Sequence, residues 1–173
     1  MKQIFLLVVL LVFSIEGLYS QQRYGFVDTE YILNKMPDYK NAQDQLDKIS
    51  KQWQNEIEGI SVEIKELHAK YRADEVFLST EMREKREKAI HDKEVLVQKL
   101  QQKYFGRNGE LYKKRQELMK PIQDDIYEAI KEIAKSGSYG MIIDRANGPT
   151  IIYSNTKFDL SDKVLYKLGI RTK

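Results

Sequence analysis

The sequence predicts a mostly helical α+β protein, in which a long antiparallel coiled-coil hairpin, the arm, extends from a small β-sheet body. Three observations support this fold class. Residues 39–135 carry apolar side chains at helical spacing and contain one proline and three glycines. Short β-type runs flank this stretch on both sides, and a short amphipathic segment closes the chain. We therefore assign residues 39–135 to the arm, and residues 21–38 and 136–173 to the body.

The apolar seam of the first limb is typical of a coiled-coil helix. Its members are Tyr39, Ala42, Leu46, Ile49, Trp53, Ile57, Ile60, Ile64, Leu67 and Tyr71. They are separated by three or four residues throughout, which is a repeat close to the 3.5 residues of a supercoiled helix. Strict alternation, the pattern of a strand, is absent. The first helix is predicted from Tyr39 to Phe77.

The second limb is predicted from Glu81 to Lys135, after a cap formed by Ser79 and Thr80. Its seam is strong after Val97 but thin from residue 83 to residue 94, where only Ala89 and Ile90 are apolar. An arm built in this way packs well near its base and poorly near its tip. We therefore expect the tip to splay or flex.

Three residues interrupt the helical pattern of the second limb. Gly106 and Gly109 each cost about 1 kcal/mol of helix stability relative to alanine, which predicts a soft point at Phe105–Gly109. Pro121 removes a backbone hydrogen bond, which predicts a bend where the arm meets the body.

The N-terminal part of the body is predicted to be a strand followed by a helical turn. The strand is the β-type run Tyr24–Asp28, and Asp28 and Thr29 can cap a turn over Glu30–Met36. Pro37 ends that turn, and Asp38 can cap the first long helix.

The C-terminal part of the body is predicted to contain a β-hairpin and a short helix. Gly137 is expected as the left-handed residue that ends the arm. Met141–Asp144 and Thr150–Tyr153 are expected to pair through a turn that contains the Asn147-Gly148 dipeptide, a strong hairpin signal. Asp159 and Ser161 are expected to cap the last helix, whose apolar residues are Val164, Leu165 and Leu168.

A body of this size cannot be stable alone. Three short strands and two short helices bury too little apolar surface to offset the entropy lost on ordering. Open sheet edges also need to be covered. These arguments predict an oligomer whose sheets join, although they do not fix the number of chains.

The first twenty residues have the proportions of a secretory signal peptide. Lys2 precedes ten consecutive apolar residues, Ile4–Phe13, and a more polar segment ends at Ser20. Ten residues are too few to span a bilayer, which needs about twenty. We predict cleavage after Ser20 and a soluble, exported mature chain; an uncleaved membrane anchor is the alternative.

Composition and residue inventory give no indication of an enzyme. Charged residues make up 32% of the chain but are interspersed, and the net charge is +3, so solvated helix faces are favoured over nucleic-acid binding. The chain has no cysteine, which excludes disulfides and thiolate chemistry. His68 and His91 have no partner at metal-ligand spacing, and no nucleophile elbow or phosphate loop occurs. We predict no catalytic residue, metal site or cofactor.

The complete order of elements resembles the Skp (OmpH-like) family of periplasmic chaperones. The resemblance covers the whole mature chain and is most specific at its two ends. The stretches that carry it are Gly25–Leu33, Gln102–Gly106, Lys120–Asp124, Phe158–Ser161, and Val164-Leu165 with Lys167-Leu168-Gly169.

The resemblance implies a periplasmic homotrimer in which the sheets of three subunits form a barrel-like body. Three arms would surround a central cavity. It further implies an ATP-independent holdase, which binds unfolded outer-membrane β-barrel proteins in that cavity and prevents their aggregation, without nucleotide or covalent chemistry.

A cavity of this kind needs apolar contact points separated by solvated charge. Consecutive residues of a helix cannot all face one partner, so an apolar run at the tip leaves at least one side chain available unless it seals the hairpin end. The candidates for client contact are Val76, Phe77, Leu78, Met82 and Ile90. Packing of the tip itself is the alternative role for these residues.

Basic residues near the tip and near the body form a second group of candidates. They are Arg83, Lys85, Arg86, Lys88, Lys113, Lys114 and Arg115. Interspersed acids favour a solvated face with pairs such as Glu81–Lys85 and Glu84–Lys88. The functional alternative is contact with acidic clients, or with acidic lipid or lipopolysaccharide headgroups.

A different class of function is also compatible with a long helical hairpin. The protein could be a structural or adaptor coiled coil of the cell envelope that binds no client. A scaffold would be expected to keep its seam intact to the tip, so the thin seam of residues 83–94 favours the holdase.

Overall fold

The computed structural model describes residues 22–146, 148 and 151–171. The predicted signal peptide, residues 1–20, lies outside the described residues. Two compact units make up the chain. The first contains residues up to Ile32 and from Tyr127 onward, and the second is Leu33–Ile126. Among the described residues, no helix combines the length and the apolar character that a membrane span requires.

The fold is mostly helical, as predicted, with a small two-stranded sheet. In chain order the elements are β1 (Arg23–Val27), α1 (Thr29–Lys35), α2 (Pro37–Asp74), α3 (Thr80–Phe105), α4 (Glu110–Gly137), β2 (Tyr139–Asp144) and α5 (Ser161–Lys167). Single 3₁₀ turns occur at Glu75–Phe77 and Thr156–Phe158. At 1.5 Å per residue, α2 is about 57 Å long.

In the first unit, β1 and β2 pair in parallel, from Tyr24 opposite Met141 to Val27 opposite Asp144. Parallel strands need a long connection, which the helices between them supply. The predicted hairpin is wrong: residues 151–153 form no strand, while Asn147, Pro149 and Thr150 lie outside the described residues. In the described residues β2 pairs with β1, more than a hundred residues away, and not with the segment that follows it.

The core of the first unit brings together segments from near the two ends of the described chain. Its fully buried side chains are Val27, Ile32, Leu160, Val164 and Leu165. The backbone N–H of Leu160 donates to the carbonyl oxygen of Phe26 at 2.9 Å, which ties the start of α5 to β1.

A polar cluster around Asp28 joins the same segments. Asp28 caps α1, as predicted, because its Oδ1 accepts the backbone N–H of Tyr31 at 2.9 Å. Its other carboxylate oxygen accepts a hydrogen bond from the Nε–H of Arg145 at 3.1 Å. Thr29 was expected to act as a cap, but it does not. Its backbone N–H and its hydroxyl both donate to the carboxylate of Asp144. The cluster therefore fixes the start of α1 against the end of β2.

Two other predicted helix termini differ from the structure. Asp38 does not cap α2, which begins at Pro37 after Met36 and has no side-chain cap. Gly137 is the last residue of α4, and the left-handed residue is Ser138, with a φ of 52°. Glycine at 137 instead leaves room for the ring of Tyr139, which a Cβ there would overlap.

Both capping residues predicted for α5 take part in hydrogen bonds at its start. Oδ1 of Asp159 accepts the backbone N–H of Ser161 at 2.9 Å. The hydroxyl of Ser161 accepts the backbone N–H of Asp28 at 2.9 Å, and it therefore links α5 to the N-terminal segment instead of capping its own helix.

The second limb of the arm is two helices, α3 and α4, and not the single predicted helix. The soft point predicted at Phe105–Gly109 is a complete interruption. The backbone N–H of Gly106 closes α3 by donating to Gln102 at 3.0 Å, and that of Gly109 donates to Gly106 at 2.8 Å. Pro121 lies inside α4, which continues through it. The first limb, α2, has no such break.

Acid should weaken the first unit through Asp28. The N–H of Tyr31, followed by Arg145, lowers the pKa of this carboxyl despite its partial burial. A lowered pKa in the folded state stabilises the fold above the unfolded pKa, near 4, and this contribution is lost as the pH falls through the folded pKa. We expect Asp28→Ala to cost about 1–2 kcal/mol at pH 7 and to flatten the loss of stability below about pH 4.

Urea unfolding followed by circular dichroism at fixed protein concentration measures both effects. Asp38→Ala is the matched control, because Asp38 is exposed in the first turn of α2 and caps nothing; it should change the free energy of unfolding by less than about 0.5 kcal/mol. Equal losses in the two variants would contradict the assigned role of Asp28.

Candidate functional site

The distal half of the hairpin, formed by α2 and α3, contains the predicted contact residues. The two helices run antiparallel. At mid-arm, the rings of Trp53 and Tyr104 stack with centroids 4.6 Å apart and planes inclined by 2°. Phe105 meets Trp53 edge-on, with a centroid distance of 6.3 Å. The Tyr104 hydroxyl donates to the Glu56 carboxylate at 3.0 Å, which raises the pKa of Tyr104. This aromatic cluster fixes the register of the two helices.

Beyond the aromatic cluster, polar pairs connect α2 to α3 up to the tip. We call this set the polar ladder. Its pairs are Glu63–Lys93 at 2.5 Å, His68–Glu94 at 3.1 Å, Tyr71–Glu87, and Asp74–Arg86 at 2.7 Å. Each pair is at least partly exposed to solvent, so each contributes little to stability.

The polar ladder answers the question raised by the thin seam. Residues 83–94 are poor in apolar side chains. The tip was expected to splay for this reason, yet hydrogen bonds and ion pairs join the two helices there. Sequence analysis missed this set because it followed apolar periodicity alone. Opposite charges at antiparallel register on the two limbs were the available signal.

The apolar candidates at the tip divide into two groups. Val76 and Phe77 are 77% and 86% exposed, and Met82 is 50% exposed. Leu78 and Ile90 are buried. The alternative role, packing of the tip, therefore describes Leu78 and Ile90, whereas Val76, Phe77 and Met82 form an exposed apolar tip.

The backbone at the turn explains this division. Glu75–Phe77 form a 3₁₀ turn, closed by the N–H of Leu78 donating to Glu75 at 3.3 Å. The chain becomes extended at Leu78, and Ser79 then caps α3 by accepting the N–H of Met82 at 3.3 Å, as predicted. This turn leaves Phe77 in solvent while Leu78 is buried.

Most of the basic candidates have acidic or carbonyl partners. Arg86 and Lys88 pair with Asp74 and Asp92, so the expected Glu84–Lys88 pair is not the one formed. Lys113 and Lys114 pair with Glu110 and Glu117, and Nε of Arg83 donates to the Leu78 carbonyl at 3.2 Å.

Two basic candidates differ from the others. Within residues 22–146, 148 and 151–171, Lys85 and Arg115 form no ion pair, so the expected Glu81–Lys85 pair is also not formed. Four of the seven basic candidates are therefore neutralised by ion pairs. Arg83 has only a carbonyl partner, and Lys85 and Arg115 have no acidic partner among the described residues.

The described residues contain no group of His, Asp and Glu side chains arranged to hold a metal ion. The described tyrosines with a raised pKa, including Tyr71 and Tyr104, owe the shift mainly to hydrogen bonds with neighbouring carboxylates. Each of these hydrogen bonds joins two elements of the fold.

A long helical hairpin with an exposed apolar tip, joined in sequence to a small α+β unit, places the protein in the class of helical-arm proteins. The family model for outer membrane protein (OmpH-like) matches residues 23–168, which is most of the chain. The chain belongs to the OmpH-like family.

A comparison with solved structures agrees on the fold. The chain is similar to a crystal structure described as a candidate outer membrane chaperone (OmpH-like) from Caulobacter crescentus CB15. The TM-score is 0.71 at 15% identity, and the match covers 89% of each chain. No curated protein matches the sequence.

Proposed function

We propose that this protein is an ATP-independent holdase chaperone of the periplasm. It would bind unfolded outer-membrane β-barrel proteins between its helical arms and keep them from aggregating. The observation that carries the proposal is the exposed apolar tip, in a chain that belongs to the OmpH-like family. An unfolded client presents apolar side chains in many sequences, and exposed apolar side chains at the end of a solvated helix pair can bind them without a fixed motif.

Assembly as a homotrimer is part of the proposal. In the first unit, Met141 and Ile143 on β2 and Tyr24 on β1 remain exposed, as does Tyr166 on α5. A two-stranded sheet with exposed apolar side chains is marginal alone, and joining it to other subunits would cover it. Sedimentation equilibrium of the mature chain in dilute buffer should give three times the chain mass; a monomer mass would contradict the trimer.

The basic face has a lesser role in the proposal. Its paired charges keep the arm solvated between the apolar contacts, while Lys85 and Arg115 are the residues most available to acidic clients or to acidic lipid or lipopolysaccharide headgroups.

Dilution of a urea-unfolded porin tests the holdase directly. Without the chaperone, the porin aggregates and scatters light. We expect a stoichiometric amount of the mature chain, residues 21–173, to suppress the scattering without added nucleotide. Unchanged scattering would favour the alternative, a structural or adaptor coiled coil of the envelope.

Replacing the exposed tip residues should weaken client retention without unfolding the protein. In Val76→Ser/Phe77→Ser, two apolar side chains that contact mostly solvent become polar. We expect the dissociation constant for unfolded porin to rise about threefold to tenfold, measured by fluorescence anisotropy of a labelled porin. Thermal unfolding followed by circular dichroism should be nearly unchanged.

A matched control uses two other exposed residues of the same arm. Ala69→Ser/Ala73→Ser changes two exposed positions on α2 close to the tip without removing a large apolar side chain. It should leave porin binding at the level of the unmodified chain. Equal binding by both double variants would exclude a role for the tip.

A further inference from the structure

We propose that a groove at mid-arm, between α2 and α3, binds an aromatic side chain of an unfolded client that has a lysine or arginine close in sequence. The inference rests on the proposed function and assigns a specific recognition site to it. The groove has a volume of about 380 Å³ and is lined by Gln54, Ile57, Glu58, Ser61, Gln101 and Phe105. It lies well away in sequence from the apolar tip.

The apolar part of the groove is suited to an aromatic ring. Ile57 is buried and contributes hydrocarbon, while Phe105 is 38% exposed and has an accessible ring. Phe105 is held edge-on against Trp53 and also against Tyr104, with centroid distances of 6.3 and 6.4 Å. An incoming ring could extend this cluster in the offset or edge-to-face geometry that aromatic pairs prefer. The volume is within the range of about 300–1,000 Å³ found for pockets that bind small organic groups.

The polar rim of the groove is suited to an extended backbone. Gln54 and Gln101 lie on opposite helices, and each carries an amide that both donates and accepts. The Ser61 hydroxyl donates to the Ile57 carbonyl at 2.8 Å, so its oxygen can still accept a hydrogen bond. These groups can pair with peptide N–H and C=O groups in any sequence, which fits an unfolded segment.

One charge selects among aromatic segments. Glu58 is the only ionisable residue of the lining, and among the described residues it forms no ion pair. The residues one turn away along α2 are Gln54, Asn55, Ser61 and Val62, none of which is cationic. A lysine or arginine beside the bound ring would therefore find an uncompensated carboxylate, while an acidic neighbour would be repelled.

Trp53 provides a direct readout, because it is the only tryptophan of the chain and contacts the Phe105 ring. The probes are short blocked peptides without tryptophan or tyrosine. The first carries two phenylalanines and two lysines, the second has both lysines replaced by glutamate, and the third has both phenylalanines replaced by alanine. Each is titrated into the full mature chain while Trp53 emission is recorded.

We expect the first peptide to change Trp53 emission saturably. The second should bind about twofold to fivefold more weakly, as suits the loss of one exposed ion pair, and the third should give no saturable change. Glu58→Gln should abolish the difference between the lysine and glutamate peptides. The matched control Glu66→Gln, an exposed position of α2 outside the groove, should preserve it.

Other outcomes would overturn the inference, and the porin assay separates them from failure of the holdase. Equal binding of all three peptides, or a lysine preference that survives in Glu58→Gln, excludes the groove as the site. If porin scattering is still suppressed in that case, the holdase stands and only the groove is wrong. If the chain neither suppresses scattering nor binds peptide, both proposals fail.

Discussion

Leu165→Ala is expected to destabilise the protein by about 2–5 kcal/mol, the largest effect of any substitution considered. Leu165 lies in α5 and is fully buried with Val27, Ile32, Leu160 and Val164. Truncation removes apolar contact and leaves a cavity that close-packed neighbours cannot fill. A small unit has few other buried side chains to compensate. A loss of this size is a large fraction of the total stability of a typical domain.

Urea unfolding at fixed protein concentration measures the loss for Leu165→Ala. Leu96→Ala is the matched control, because it makes the same leucine-to-alanine replacement at an exposed position of α3. It should cost less than about 1 kcal/mol. A small loss in Leu165→Ala would mean that the first unit does not depend on α5 for its core.

The second large effect concerns two glycine-to-alanine substitutions, which we expect to change the free energy of unfolding in opposite directions. A Cβ at Gly109 would lie 2.8 Å from the carbonyl oxygens of Lys103 and Tyr104, and 3.0 Å from the backbone nitrogen of Gly106. These are backbone atoms and cannot rotate away. We therefore expect Gly109→Ala to destabilise the arm by about 1–3 kcal/mol.

Gly59→Ala is the matched variant on the unbroken limb. Gly59 lies in the middle of α2, and apart from the adjacent backbone of its own helix no atom lies within 4 Å of a Cβ placed there. Alanine should therefore stabilise the helix by about 0.5–1 kcal/mol. Thermal unfolding of both variants measures whether each one is stabilised or destabilised. Stabilisation by both substitutions would show that a stable arm does not require the interruption between α3 and α4.

Helical periodicity was sufficient to predict most of the arm. The seam from Tyr39 to Tyr71 gave α2, and the hydroxyl of Ser79 gave the start of α3. The sequence identified the residues of the interruption, but it did not predict that they separate two helices. Helix propensity treats Gly106 and Gly109 as weak points of a continuous helix, whereas α3 ends at Phe105 and α4 begins only at Glu110.

The body was harder to predict because its pairing is between distant segments. The strand of residues 139–144 was foreseen in part, from its apolar run. Its partner was not, because an Asn-Gly dipeptide is a local signal and carries no information about β1, more than a hundred residues away. The same limit explains Thr29, whose hydroxyl binds Asp144 across the sheet instead of capping its own helix.

The candidate contact residues show what periodicity can and cannot resolve. The run Val76-Phe77-Leu78 was recognised as apolar, but which side chain faces solvent depends on the 3₁₀ turn. Ile90 was predicted to be a contact residue because it lies on the thin part of the seam, yet it is buried. The mid-arm groove could not be foreseen, since it needs the relative position of Glu58 and Phe105 on two helices.

The central claim is that the arms hold an unfolded outer-membrane protein in solution. Sedimentation velocity tests it most directly, with fluorescently labelled, urea-unfolded porin diluted into the mature chain. We predict that the label sediments as one soluble species, with a mass of one porin and three copies of the chain. Porin that pellets, while the chain sediments at its own unchanged rate, would contradict the account.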